Sequence, residues 1–163
     1  MVVIKDKDEL DKGLTEAAFV CDFMRVRQLL QRGADVNARD ADQRTPLISA
    51  VLGGSVGLVG LLLESGAEVN AADSEGFTAL HFAAQEHEVE LARLLIARGA
   101  NVNAQDSDGA SVLWRAVFCS AGRDELVQHL VQNGAKPDLP NLAGETPRQL
   151  AERMGTRVLE PAN

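Results

Sequence analysis

The residues able to do chemistry are few and scattered. His81, His87 and His129 are the only imidazoles in 163 residues, and Cys21 and Cys119 the only thiols. Acidic pairs recur at Asp40 and Asp42, Asp73 and Glu75, and Asp106 and Asp108, with Ser74 and Ser107 beside the last two. These are the residue types of a Ser-His-Asp relay, a His/Cys metal site or a carboxylate calcium loop. The calcium loop fails on spacing, because no Asp-x-Asp-x-Asp-Gly run exists. No glycine-rich phosphate loop is present either. The first two chemistries need side chains that converge in space, so the elements that carry them decide the matter.

Those elements repeat. A Gly-Ala pair stands at Gly33-Ala34, Gly66-Ala67, Gly99-Ala100 and Gly134-Ala135, with spacings of 33, 33 and 35. Asp35-Val36-Asn37-Ala38, Glu68-Val69-Asn70-Ala71 and Asn101-Val102-Asn103-Ala104 follow it. A second marker keeps the same phase: Thr45-Pro46-Leu47, Thr78-Ala79-Leu80, Ser111-Val112-Leu113 and Thr146-Pro147-Arg148.

With these markers the chain resembles the ankyrin-repeat family over about residues 7 to 155; the fullest match is Asp73 to Ala84, DSEGFTALHFAA. The resemblance implies an all-α solenoid of helix-turn-helix units with β-turn fingers. One domain, 1–163, is expected. It comprises an N-terminal cap 7–39, units 40–72, 73–105 and 106–140, a truncated C-terminal cap 141–155 and a tail 156–163. The family's His after Thr-Pro-Leu survives as His81, for which the resemblance implies a structural hydrogen bond. It also puts Asn37, Asn70 and Asn103 at the family's hydroxylated position, although their ordinary role is to hold the loop.

The residue types explain such a unit. The hydroxyl at 45, 78, 111 and 146 can cap a helix by accepting from an orphan N–H, and Pro46 and Pro147 suit the first helical position. First helices are expected over about Pro46–Leu52, Ala79–Glu86, Val112–Ser120 and Pro147–Met154, each with a small residue (Ala50, Ala83, Ala116, Ala151) at one depth. Second helices carry apolar rows at i, i+3, i+4: Val26, Leu29, Leu30; Val59, Leu62, Leu63; Ala92, Leu95, Ile96; Val127, Leu130, Val131. The glycine of Gly-Ala ends each as a left-handed cap. The acidic runs become turns of projecting fingers. Gly57 and Gly60 fall on the expected solvent side of a second helix and with Leu61 leave a smooth uncharged patch. His87 takes a loop position where Gly54 stands one unit earlier, which predicts a strained or a longer helix end in the third unit. The fourth unit has two extra residues within Phe118–Gly122.

This layout separates the reactive groups. Packed helices lie about 8–10 Å apart, so equivalent positions in neighbouring units cannot hydrogen-bond. Cys21 and Cys119 stand three units apart, which predicts no disulfide. No catalytic residue, metal or cofactor is expected, and the chain reads as a non-enzyme.

Totals narrow the partners. A net charge of −8, from 24 acids against 16 bases, opposes nucleic acid and suits a basic protein. Hydrophobic residues make up 45%, enough for a core. No apolar run reaches membrane-spanning length, no signal peptide is expected, and two cysteines without an N-x-S/T site suit a cytoplasmic monomer.

Function is therefore expected at the surface. Finger tips and first-helix faces line the groove of such a stack, and aromatic and Arg anchors dominate binding. The expected partner-binding residues are Asp42, Arg44, Glu75, Phe77, Glu86, Asp108, Trp114, Arg115 and Phe118. The expected function is a protein-protein interaction module; the alternative is an acidic immunity or antitoxin-like inhibitor of a basic toxin or enzyme. If the apolar rows form the core, Leu95→Ala destabilises the fold by roughly 2–5 kcal/mol, read by chemical denaturation; a loss below about 1 kcal/mol would take Leu95 out of the core.

Overall fold

A computed structural model describes residues 7–156. It is all-α: α1 (Lys7–Phe19), α2 (Phe23–Gln31), α3 (Pro46–Leu52), α4 (Val56–Glu64), α5 (Ala79–Gln85), α6 (Val89–Ala97), α7 (Val112–Cys119), α8 (Glu125–Gln132) and α9 (Pro147–Met154). Consecutive helices pair as α1–α2, α3–α4, α5–α6 and α7–α8. The odd helices pack side by side from α1 to α9, and α4, α6 and α8 form a second row behind them. Single antiparallel bridges, Ala72 with Thr78 and Gln105 with Ser111, close the necks of two fingers.

Each first helix starts as its residue types dictate. The hydroxyls of Thr45, Thr78, Ser111 and Thr146 accept from the N–H groups of Ile48, His81, Trp114 and Gln149 at 3.3, 3.4, 3.2 and 3.2 Å. Helices α5 and α7 stop at Gln85 and Cys119, one residue short of the expected ends, with Glu86 and Ser120 as C-caps. The glycines after the second helices hold φ of 88–93°, a left-handed turn that costs glycine little. There Ala34, Ala67, Ala100 and Ala135 donate back to Leu29, Leu62, Leu95 and Leu130, each at 3.0 Å.

The core lies between the two rows. Val26, Val59, Leu62, Ala92, Leu95, Val127 and Leu130 are fully buried, while Leu30, Leu63 and Ile96 are half-buried. Leu58, Leu91 and Leu126, one residue before each of the last three rows, widen the stripe and are as buried as the rest. A β-carbon added at Gly57 or Gly60 would meet open space, so packing does not require glycine there.

Polar ladders tie the units together. The Asn37 amide donates to Gly66 C=O and accepts from Glu68 N–H at 3.4 and 2.8 Å. Asn70 does the same to Gly99 and Asn101, at 3.2 and 2.7 Å. Asn103 repeats it on Gly134 and Lys136, at 3.0 and 2.9 Å. In the first unit Asp11 on α1 plays the acceptor's part in such a rung, taking Asp35 N–H at 2.7 Å. At the other end Arg148 grips Asp138 through two bonds of 2.7 and 3.0 Å; those bonds hold the Asp138 carboxyl below the usual range.

Two finger glycines are dictated by stacking. Gly76 and Gly109 hold φ of 80° and 72°, and a β-carbon on either would come within 2.9 Å of a backbone nitrogen of the next finger, Ser107 or Leu142. Asn70→Ala deletes both bonds of one rung and leaves the helices intact. It lowers stability by about 1–2 kcal/mol, measured by urea denaturation, with helicity unchanged; no loss would mean the rung is replaced by water.

Candidate functional site

The inner surface is built from three registers in each unit. They are the finger residue before the helix cap (Arg44, Phe77, Ala110, Glu145), the fourth residue after that cap (Ser49, Phe82, Arg115, Leu150) and the seventh (Leu52, Gln85, Phe118); Ser49, Phe82, Ala110 and Leu150 are buried beneath the others. The finger backbones are nearly identical. Asp40, Asp73, Asp106 and Asn141 each accept two N–H bonds through one side-chain oxygen, two and four residues on, at 2.8–3.0 Å. A fixed turn therefore presents different side chains unit by unit.

The fourth unit departs most. Ala110 leaves the space that Phe77 or Arg44 fills in its neighbours, and Arg115 reaches into it. Its guanidinium binds the fully buried Asp106 carboxylate at 2.7 and 2.8 Å and the exposed Asp108 at 3.4 Å. It also lies over the Phe77 ring, 4.8 Å from the centroid, and beside Trp114, at 5.4 Å. Such cation–ring contacts add to the ion pair. Beyond it Trp114 and Phe118 stack with centroids 5.3 Å apart and planes 11° apart. Phe118 is 52% exposed. A groove of about 330 Å³ opens between this cluster and the last finger, bounded by Asp108, Trp114, Arg115 and Leu142.

The expected contact residues thus divide. Asp108, Trp114, Arg115 and Phe118 come together in one cluster, with Phe77 at its edge. Phe77 is half-buried against His81 and Phe82, at 5.5 and 5.3 Å, so its ring also holds its finger in place. Asp42 and Arg44 pair at 3.3 Å on the first finger, where a larger groove of about 760 Å³ separates them from α1. Glu75 is an exposed finger tip and Glu86 an exposed helix cap, each apart from both grooves. Sequence reasoning took Asp106 for a turn former alone and missed it as the buried counter-ion of Arg115. The signal was the small residue at 110 facing an arginine five positions on.

The reactive side chains stay apart. Among the described residues no group of three His, Cys, Asp or Glu is placed to hold a metal ion. The His81 Nδ1 accepts from Thr78 N–H at 3.1 Å and lies 3.0 Å from its hydroxyl, closing a capping box. Burial lowers the His81 pKa, so the ring is held neutral. His87 sits at φ 60° in the loop where Gly54 has 74°, the strained position its residue type predicts. Both cysteines are free; Cys21 donates to Gly53 C=O at 3.3 Å, and burial pushes the Cys119 thiol up, away from the nucleophilic thiolate.

Residues 14–106 match the family described as ankyrin repeats, in three copies. No curated protein matches the chain at a significant level. Arg115→Met keeps the stem and removes the charge that Asp106 faces. It destabilises the chain by about 3 kcal/mol, the cost of orphaning a buried carboxylate; the double variant with Asp106→Asn recovers most of that loss. Equal melting of the single variant and the parent chain would show that Asp106 does not need the cation.

Proposed function

The chain belongs to the ankyrin-repeat family, whose repeats generally mediate protein-protein interactions, and on that premise we propose that it binds a partner protein along its inner face, with Phe118 and Trp114 as the anchor. The observation that supports this is the open Phe118–Trp114 stack beside an arginine already fixed by Asp106 and Phe77. A rigid aromatic pair loses little freedom on binding, and an exposed large ring held by a stacked neighbour is the kind of residue that carries binding energy. The tips Asp42, Glu75 and Asp108 surround the face with carboxylates, so the partner presents a basic surface, and the charge of −8 speeds its approach.

That acidic rim also favours the reading of a dedicated inhibitor that covers a basic enzyme. The inhibitor reading requires one tight partner whose activity falls on binding; a general module requires neither.

Affinity capture from the native host tests both. Phe118→Asp lowers capture roughly tenfold or more, while helicity and stability stay within about 0.5 kcal/mol of the parent, since the ring is exposed. Arg44→Glu weakens capture less, because it lies two units away. Unchanged capture by both variants would end this reading of the inner face.

A further inference from the structure

The fingers form a hydrogen-bonded series with an open first place. Ser74 N–H donates to Asp42 C=O at 3.0 Å, Ser107 to Glu75 at 2.9 Å and Leu142 to Asp108 at 2.9 Å. The same register on the first finger is Ala41. It is exposed, and its N–H has no acceptor among the described residues. The cause is α1. Residues 7–12, which stand one repeat before the finger segment 40–45, are wound into helix instead of projecting. The room a preceding finger would fill is the groove of about 760 Å³ between α1 and the first finger.

The lining of that groove says what fits it. Phe19 and Leu52 supply apolar surface, and Phe19 is 55% exposed. Asp11 is engaged by Asp35 N–H, Asp40 by its own turn, and Arg39 by the carbonyls of Gln43 and Ala72. Asp42 and Arg44 pair with one another through one guanidinium nitrogen, and the buried Arg44 Nε is left without an acceptor. Asp8 and Glu16 on α1 have no ion pair among the described residues, and the lining as a whole carries five carboxylates (Asp8, Asp11, Glu16, Asp40, Asp42) against three cations (Lys12, Arg39, Arg44). The slot therefore offers one backbone donor, a small apolar floor and an excess of unpaired carboxylate.

We propose that this slot takes an extended turn of the partner protein in place of the missing finger. A backbone carbonyl of that turn accepts from Ala41 N–H, as Asp42 C=O accepts from Ser74. An apolar side chain rests on Phe19 and Leu52, and a Lys or Arg meets Asp8 and Glu16. Main-chain bonding to an open edge supplies affinity, and the side-chain pockets supply selectivity. The inference rests on the reading that the chain binds a basic protein, and it adds a second contact at the end opposite Phe118.

Ala41 is the second residue of a turn closed by Gln43 N–H on Asp40 C=O at 3.0 Å, a position that accepts proline. Ala41→Pro thus removes the donor and keeps the turn. The probes are two cyclised peptides spanning residues 71–80 of this chain, one with Ser74→Lys and Glu75→Lys, the other with both changed to Glu. In amide-exchange NMR of the whole chain, the Ala41 amide exchanges quickly alone and is protected by the lysine peptide, whereas Ser74, Ser107 and Leu142 amides are protected throughout. By calorimetry the glutamate peptide binds roughly tenfold more weakly, and Ala41→Pro lowers affinity for the lysine peptide about fivefold with unchanged melting. Asp8→Lys with Glu16→Lys reverses the preference between peptides. Binding indifferent to Ala41→Pro, binding of neither peptide, or self-association that Ala41→Pro abolishes would overturn the proposal, the last by giving the slot to a second copy. If Ala41→Pro captures the native partner as well as the parent chain does while Phe118→Asp loses it, the slot falls and the broader reading stands.

Discussion

A two-helix unit in this chain cannot cover its own apolar side, and every other feature follows from that. Leu62, Leu95 and Leu130 have no exposure because the next layer lies over them. Burial of this kind is worth about 1.5–3 kcal/mol for each large aliphatic side chain, far more than one finger bond. The small residues Ala50, Ala83 and Ala116, all fully buried, let the layers come close enough for that coverage. Once the layers are in contact, the Asn rungs and the finger bonds fix their register.

The division of labour inside a finger explains how one fold presents a variable surface. Carboxylate or amide oxygens at 40, 73, 106 and 141 hold the turn from within. The residues between them are free to differ, as Arg44, Phe77, Ala110 and Glu145 do. In the fourth unit that freedom has been used twice, since the change to alanine at 110 makes room for the Arg115 fork. The cluster around Phe118 is stiff for this reason, and stiffness is what an anchor needs.

Much of this was legible in the sequence, because the signals are local and repeated. Helix starts at Thr45, Thr78, Ser111 and Thr146, the left-handed glycines and the apolar rows each rest on one residue's own chemistry, read four times in phase. What was not legible depends on contacts across layers. Asp106 looks like Asp40 and Asp73 in the sequence, and only the guanidinium delivered from α7 distinguishes it. Lys7 to Lys12 were assigned to the N-terminal cap with no element of their own; they are wound into α1, which packs against α3, and the groove beside Asp42 lies along it. Leu58, Leu91 and Leu126 were passed over because the i, i+3, i+4 pattern was begun one residue later. Seven of the nine contact residues proposed from the sequence fall into two neighbourhoods, at the first finger and around the third finger and α7, with Glu75 and Glu86 in neither, and a linear reading gives no means of grouping them.

Helix α4 carries a consequence of its own. It has Gly57 and Gly60 in nine residues, where no neighbour requires them. Each glycine weakens the helix by about 1 kcal/mol relative to alanine, and in a nearest-neighbour array a weak layer is where cooperativity divides. The second layer therefore leans on the packing of Leu58, Val59 and Leu62 against its neighbours more than on any helical preference of its own.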